Sequence, residues 1–211
     1  MIEPEPEYAA GLFGERIELA RSFAAELGAR GEELGLIGPL ESTRLWSRHI
    51  VNCALVAPLL RPGRVGDIGS GAGLPGLVLA IARPDVEFVL IEPMERRVEW
   101  LVAESARLGL GNVGVLRARA EDARRDPLLE PLLDQVTARA VSALKTLIPI
   151  AAPLVRDGGE LLLMKGARAE AELAAAAKVV RAARLRDPEV LVLGQGTVPE
   201  ATRAFRATVG H

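Results

Sequence analysis

Hydrophobic positions recur along the chain with two different periods, and the change between them divides it. From Leu12 to Leu27 apolar residues fall at helical spacing (Leu12, Phe13, Ile17, Ala20, Phe23, Ala24, Leu27), and Gly28 ends the run. Gly28 to Pro39, with four glycines, predicts a connector. A second helix is expected from Ser42 to Leu60, stopped by Pro62-Gly63. Residues 1–10 are acidic and proline-rich and predict a disordered tail. The expected organisation is therefore a tail over 1–10, a helical cap over 11–62 and one domain over 63–211.

From Arg64 the pattern becomes an alternation of strands and helices, the mark of an α/β fold with a parallel sheet. Strands are predicted at Val65 to Ile68, Val86 to Glu92, Val113 to Ala118, Leu133 to Arg139 and Glu160 to Met164. Helices are predicted at Leu74 to Ala82, Met94 to Leu108, Leu144 to Val155 and Ala169 to Ala183. In the second of these the apolar stripe reads Val98, Leu101, Val102, Ser105, Leu108. Glu189 to Gly194 and Thr202 to Val209 are two more strands with no room for a crossover helix between them. They must pair as an antiparallel hairpin. Five alternating strands closed by an antiparallel pair make seven, mostly parallel. That is the plan of the Rossmann-like class I methyltransferases, here behind a short N-terminal helical cap.

Composition narrows the setting. Apolar residues make up 49%, enough for a full core, and no apolar run is long enough for a membrane span. The acidic start is unlike a secretory or mitochondrial leader, and the chain reads as a cytoplasmic protein. With Cys53 as the only cysteine, neither a disulfide framework nor a cysteine metal cluster is expected, and no other metal-ligand spacing occurs. The net charge of −2 is divided unevenly: residues 1–41 carry −6 and the remainder +4. Nearly all the cations are arginine, the lysines being Lys145, Lys165 and Lys178. A basic face on the main domain and a bias of genome composition both produce that pattern.

The candidate chemistry gathers at the turn after the first strand, Asp67-Ile68-Gly69-Ser70-Gly71-Ala72-Gly73-Leu74-Pro75-Gly76. In a doubly wound sheet this turn meets the ligand, and Gly69, Gly71 and Gly73 let the backbone bend and approach it closely. The same residues satisfy the dinucleotide pattern G-x-G-x-x-G, so alone they fit NAD and S-adenosyl-L-methionine alike. Asp67 before the first glycine, Pro75 at the helix start and the terminal hairpin favour S-adenosyl-L-methionine. Glu92, closing the second strand, can take the ribose hydroxyls of either cofactor. Glu121-Asp122 stands where an adenine amine could be read, although loop acids are ordinary surface residues. Arg139 and Lys165 end neighbouring strands at the mouth and suit an anionic or electron-rich substrate. His49 is read either as a core or capping residue or, beside Arg48, as functional. There is no Ser-His-Asp arrangement, which fits an acceptor that already offers a lone pair and needs only positioning. A small-molecule or protein methyltransferase, an NAD-dependent oxidoreductase and a non-catalytic RNA-binding module stay open on these residues.

Over about Arg44 to Arg168 the chain resembles the bacterial 16S ribosomal RNA guanine-N7 methyltransferases, also called glucose-inhibited division protein B or RsmG. The resemblance rests on Arg48-His49, the extended turn Asp67 to Gly76, Arg83-Pro84 and Arg97-Val98-Glu99-Trp100-Leu101. It continues through Arg119-Ala120-Glu121-Asp122, Arg139-Ala140 and Lys165-Gly166. It implies methyl transfer from S-adenosyl-L-methionine to a guanine N7 in the decoding-region loop of the small-subunit RNA; separately, a monomer without metal or membrane is expected. It implies that Gly69 and Leu74 line the cofactor, with Ala120-Glu121 near adenine, Glu92 on the ribose, and Arg139 near the methionine end or the substrate. By the same resemblance Arg139 and Lys165 serve catalysis, while Arg48, His49 and Lys165 face RNA. One departure stands out: where the family often carries Trp-Asn…Asn-Leu-Thr between the cap helices, this chain has Leu34-Gly35-Leu36-Ile37-Gly38-Pro39-Leu40-Glu41.

Overall fold

The computed structural model describes residues 2–210; Met1 of the expected tail and His211, the second histidine, lie outside them. Seven strands form one sheet in the order β3-β2-β1-β4-β5-β7-β6. They are β1 (Gly63–Ile68), β2 (Val86–Ile91), β3 (Val113–Leu116), β4 (Leu133–Arg139), β5 (Val155–Lys165), β6 (Leu185–Leu193) and β7 (Thr202–Val209). The first five are parallel, and β7 runs antiparallel between β5 and β6. The hairpin and its direction agree with the sequence pattern.

Each central strand is buried on both faces and sorts its side chains by parity. Phe88 and Leu90 enter one core and Val89 and Ile91 the other; Leu162 and Met164 part from Leu161 and Leu163 in the same way. The first core takes the cap helices α1 (Ala9–Phe13), α2 (Ile17–Arg30) and α3 (Asn52–Ala54), together with α4 (Gly76–Ala82) and α5 (Glu95–Arg107). The second takes α6 (Ala120–Ala123), α7 (Leu144–Ala151), α8 (Ala169–Ala175) and α9 (Ala177–Ala182). In α2 the buried residues are Ala20, Phe23, Ala24 and Leu27, the apolar face read from spacing.

Several boundaries differ from expectation. The helix expected over 12–27 begins earlier, breaks into a tight turn at Gly14–Arg16 and runs on to Arg30, three residues into the expected connector. Residues 2–8 have no regular structure, yet the Glu3 N–H donates to Ser42 O (2.9 Å) and its carboxylate accepts from the Ser47 N–H (2.9 Å). That anchoring, with Ala9 fully buried, replaces the expected disordered tail within the described residues. The single helix expected over 42–60 is a chain of short turns, including a π-helical stretch Leu45–Val51. Its wider winding turns Leu45, Trp46, His49, Ile50 and Val51 all inward, which 3.6-residue winding would not. Glu121 and Asp122 lie in the first turn of α6, not in a loop. The alanine-rich helix expected over 169–183 breaks at the buried Ala176.

The stripe expected on α5 holds at Leu101, Ser105 and Leu108 and fails at Val102. The buried residues of the helix are Trp100, Leu101, Glu104 and Ser105, with Val102 52% exposed, because Trp100 turns in to donate its indole N–H to Ala72 O (3.1 Å). Leu101→Ala should therefore cost about 2–5 kcal/mol of stability, and Val102→Ala no more than about 0.5 kcal/mol. Urea unfolding of the two variants checks this; equal losses would restore the stripe read from spacing.

Candidate active site

Asp67 is the last residue but one of β1, and its side chain is fully buried. One carboxylate oxygen, Oδ2, accepts the N–H of Gly76 at the start of α4 (3.0 Å), so acid and helix close the turn between them. The other, Oδ1, has no hydrogen-bond partner among the described residues. Burial pushes the Asp67 carboxyl up to about 7; the Ser70 hydroxyl, the Gly76 N–H and Arg139 oppose this, and the Glu92 charge adds to it.

The turn needs its glycines for separate reasons. Gly69, Gly71 and Gly73 all have positive φ, where a side chain is strained. A Cβ at Gly73 would run into Leu77, and one at Gly76 into Leu90 and Asp67. At Gly71 it would meet only Gly69 O, at 3.7 Å, and otherwise open space. Glu92, just past β2 and buried, accepts the Gly71 N–H (2.9 Å) and the Met94 N–H (3.0 Å). Each of its oxygens keeps a further lone pair.

Arg139 stands beside this turn because β4 pairs with β1, aligning Ala138 with Ile68. Its guanidinium donates to His49 Nδ1 (2.7 Å), Arg48 O (3.2 Å) and Cys53 Sγ (3.4 Å). It forms no ion pair with a carboxylate among the described residues. Next to it opens a cleft of about 900 Å³, lined among others by Arg48, Asn52, Arg139, Lys165, Arg168 and Arg203. Val141 joins turn and cleft: it lines the cleft, and its Cγ2 would lie 3.0 Å from a Cβ at Gly69.

The structure thus brings Asp67, the three glycines, Glu92 and Arg139 together, with Arg48 and Lys165 on the adjoining cleft. Two of these residues are less free than their sequence positions imply. The Lys165 side chain is only 7% exposed, its Nζ donating to Ser142 O (2.5 Å) and pairing with Glu172 (3.1 Å). His49 is buried with both ring nitrogens engaged, one by Arg139 and the other by Glu41 (2.6 Å). Ala120 is buried and Glu121 exposed at the start of α6, beyond the end of β3. Glu41, Cys53, Glu172 and Arg203 were not legible as site residues. They reach it through tertiary pairing, from positions with no motif around them.

Comparison with known proteins decides the family. The sequence profile of the GidB family, described as rRNA small subunit methyltransferase G, matches residues 16–199. The chain belongs to this family. It is 66% identical to the ribosomal RNA small subunit methyltransferase G of Clavibacter michiganensis subsp. michiganensis, covering 99% of this chain and 97% of that protein. It is 65% identical to the protein of the same name from Leifsonia xyli subsp. xyli, covering 99% and 98%. Among solved structures, a SAM dependent methyltransferase from Aquifex aeolicus matches in fold, with a TM-score of 0.56 and 18% identity over 79% of this chain and 93% of that one. Family membership makes the chain an S-adenosyl-L-methionine-dependent methyltransferase of ribosomal RNA, and removes the oxidoreductase and non-catalytic alternatives.

The raised Asp67 pKa has a consequence for stability. The folded state holds this proton more tightly than the unfolded chain, where a carboxyl titrates near 3.8. The contribution is fully present below that value and is lost as pH rises through about 7. Without ligand, the wild type should therefore lose stability relative to Asp67→Asn across this window, by an amount on the order of a few kcal/mol. Thermal unfolding of both proteins between the two limits measures it; parallel curves would mean that Asp67 does not titrate there.

Proposed function

We propose that the chain methylates N7 of a guanine in the decoding-region loop of 16S ribosomal RNA, acting as a cytoplasmic monomer. The observation that carries this reading is the continuity, through Val141, of an acid-lined glycine turn with an arginine-lined cleft. The turn side fits the methyl donor. Asp67 Oδ1 is a buried acceptor without a partner among the described residues, suited to the ammonium of the methionine moiety. Arg139, with no carboxylate partner among the described residues, suits its carboxylate or the substrate. The open space at Gly71 admits the ligand against bare backbone, with Gly69, Gly73 and Leu74 along the same wall. The spare lone pairs of Glu92 take ribose hydroxyls, and Ala120 and Glu121 flank the adenine.

On the cleft side Arg48, Arg168 and Arg203 offer charge to RNA phosphates. Lys165, tied to Ser142 and Glu172, holds the cleft wall at the end of β5 beside Arg139. S-adenosyl-L-methionine supplies an electrophilic methyl group on a sulfonium. Guanine N7 presents its lone pair without a proton to remove, so these residues need only orient the base and exclude water.

Labelled-methyl transfer to unmodified small-subunit RNA and to small-subunit particles, followed by nucleoside analysis, should yield 7-methylguanosine. No transfer to either substrate by protein that binds the cofactor would overturn the reading. Gly71→Val should weaken S-adenosylhomocysteine binding by at least about tenfold, or ~1.4 kcal/mol, while the fold is retained. Calorimetry with circular dichroism tests this, and unchanged affinity would remove Gly71 from the ligand wall.

A further inference from the structure

Arg139 is held from outside the sheet. Its nearest polar partner is a histidine of the N-terminal cap, and that histidine is held in turn by an acid from the segment before it. We propose that Glu41 and His49 form a positioning relay through which the cap aims the Arg139 guanidinium into the methyl-transfer site. The proposal rests on the reading of Arg139 as a site residue.

Hydrogen-bond polarity gives the relay a direction. A guanidinium can only donate, so His49 Nδ1, 2.7 Å from Arg139 Nη2, must be the lone-pair nitrogen. Nε2 therefore carries the proton and donates to Glu41 Oε2 at 2.6 Å. The carboxylate is itself fixed: Oε1 accepts from Arg44, and Arg48 Nε lies 3.7 Å from Oε2. The arrangement works only with a neutral imidazole. A proton on Nδ1 removes the acceptor and sets two cations against each other.

The surroundings favour the neutral form. Burial pushes the His49 pKa down, with Arg139 and Arg48 adding to this and Glu41 opposing it. Those are the charged groups facing the ring: Glu41 from the preceding turn, Arg48 from its own, and Arg139 from β4. Arg139 in turn is faced by Cys53 and Asp67. The relay is thus intact above the His49 pKa and lost as pH falls through it.

Histidine-labelled NMR reads the relay without any turnover. Only His49 and His211 contribute signals, and His211→Asn assigns them. At neutral pH His49 should be the Nε2–H tautomer, titrating below the ordinary value of about 6.5. Arg139→Ala should raise that pKa and Glu41→Gln lower it. An Nδ1–H tautomer, or a titration unmoved by Arg139→Ala, would overturn the relay.

Transfer to small-subunit particles gives a second readout. At about pH 8, His49→Phe should lower kcat/KM by on the order of tenfold. His49→Asn, whose amide oxygen can replace Nδ1 as acceptor, should recover most of that loss. It should also lack the part of the acid limb that His49 contributes. Asp67 is present in both proteins, so its own titration cancels in the comparison. Identical acid limbs in wild type and His49→Asn would count against the relay. Full transfer by Arg139→Ala would instead sink the reading of Arg139, whatever the NMR shows.

Discussion

A carboxylate buried at the end of the central strand is the constraint around which the site is arranged. Asp67 cannot stay there without partners, because an uncompensated polar group in the interior is expensive. The Gly76 N–H takes one oxygen, and this bond fixes where α4 begins. Residue 76 must then be glycine, since a Cβ would strike Asp67 itself. From there the turn is held on two more sides, by Glu92 on the Gly71 N–H and by Trp100 on Ala72 O. What looks in sequence like a flexible glycine run is a backbone held by a strand-end acid, a neighbouring strand and a helix. The oxygen left without a partner among the described residues is the part of this arrangement that folding alone does not explain.

The strand ends are polarised across the sheet. Acids, Asp67 and Glu92, lie on the β1 and β2 side; cations, Arg139 and Lys165, lie on the β4 and β5 side. The two sides differ in how far their charges are neutralised locally. Lys165 is closed off by Glu172, whereas among the described residues Arg139 meets only neutral acceptors, an imidazole nitrogen, a carbonyl and a thiol. On the proposed reading that difference separates a residue that shapes the cleft from one that meets a ligand.

Much of this was legible in the sequence where local pattern and tertiary role coincide. Gly69 to Gly76 announces a sharp, crowded turn, and the run from Leu133 to Arg139 announces a strand whose last residue reaches the mouth. The short link from Leu193 to Thr202 could only make a hairpin. The misreadings fall where packing overrides period. Val102 fits a helical stripe but yields the core to Trp100, which has an indole N–H to satisfy. The stretch 45–51 winds more widely than the spacing assumed, and this is what turns His49 inward. Glu41 lies in the segment that departs from the family's usual pattern, and nothing nearby in sequence marks it as a partner of the ring. Such pairings depend on how two irregular turns settle against β4, which no periodicity encodes.

The position of β7 has a consequence for the order in which the molecule can be assembled. This strand is the last in chain order among the described residues, yet it lies inside the sheet, between β5 and β6. It carries Arg203 to the cleft and sends the Thr202 hydroxyl to Asn52 O in the cap (3.1 Å). During synthesis the glycine turn and its acids can form from the first half of the chain, while β5 waits with an unpaired edge. The cleft wall is completed only when β7 has paired with β5. A protein that acts on ribosomal RNA therefore has no finished cleft until β7 has entered the sheet between β5 and β6.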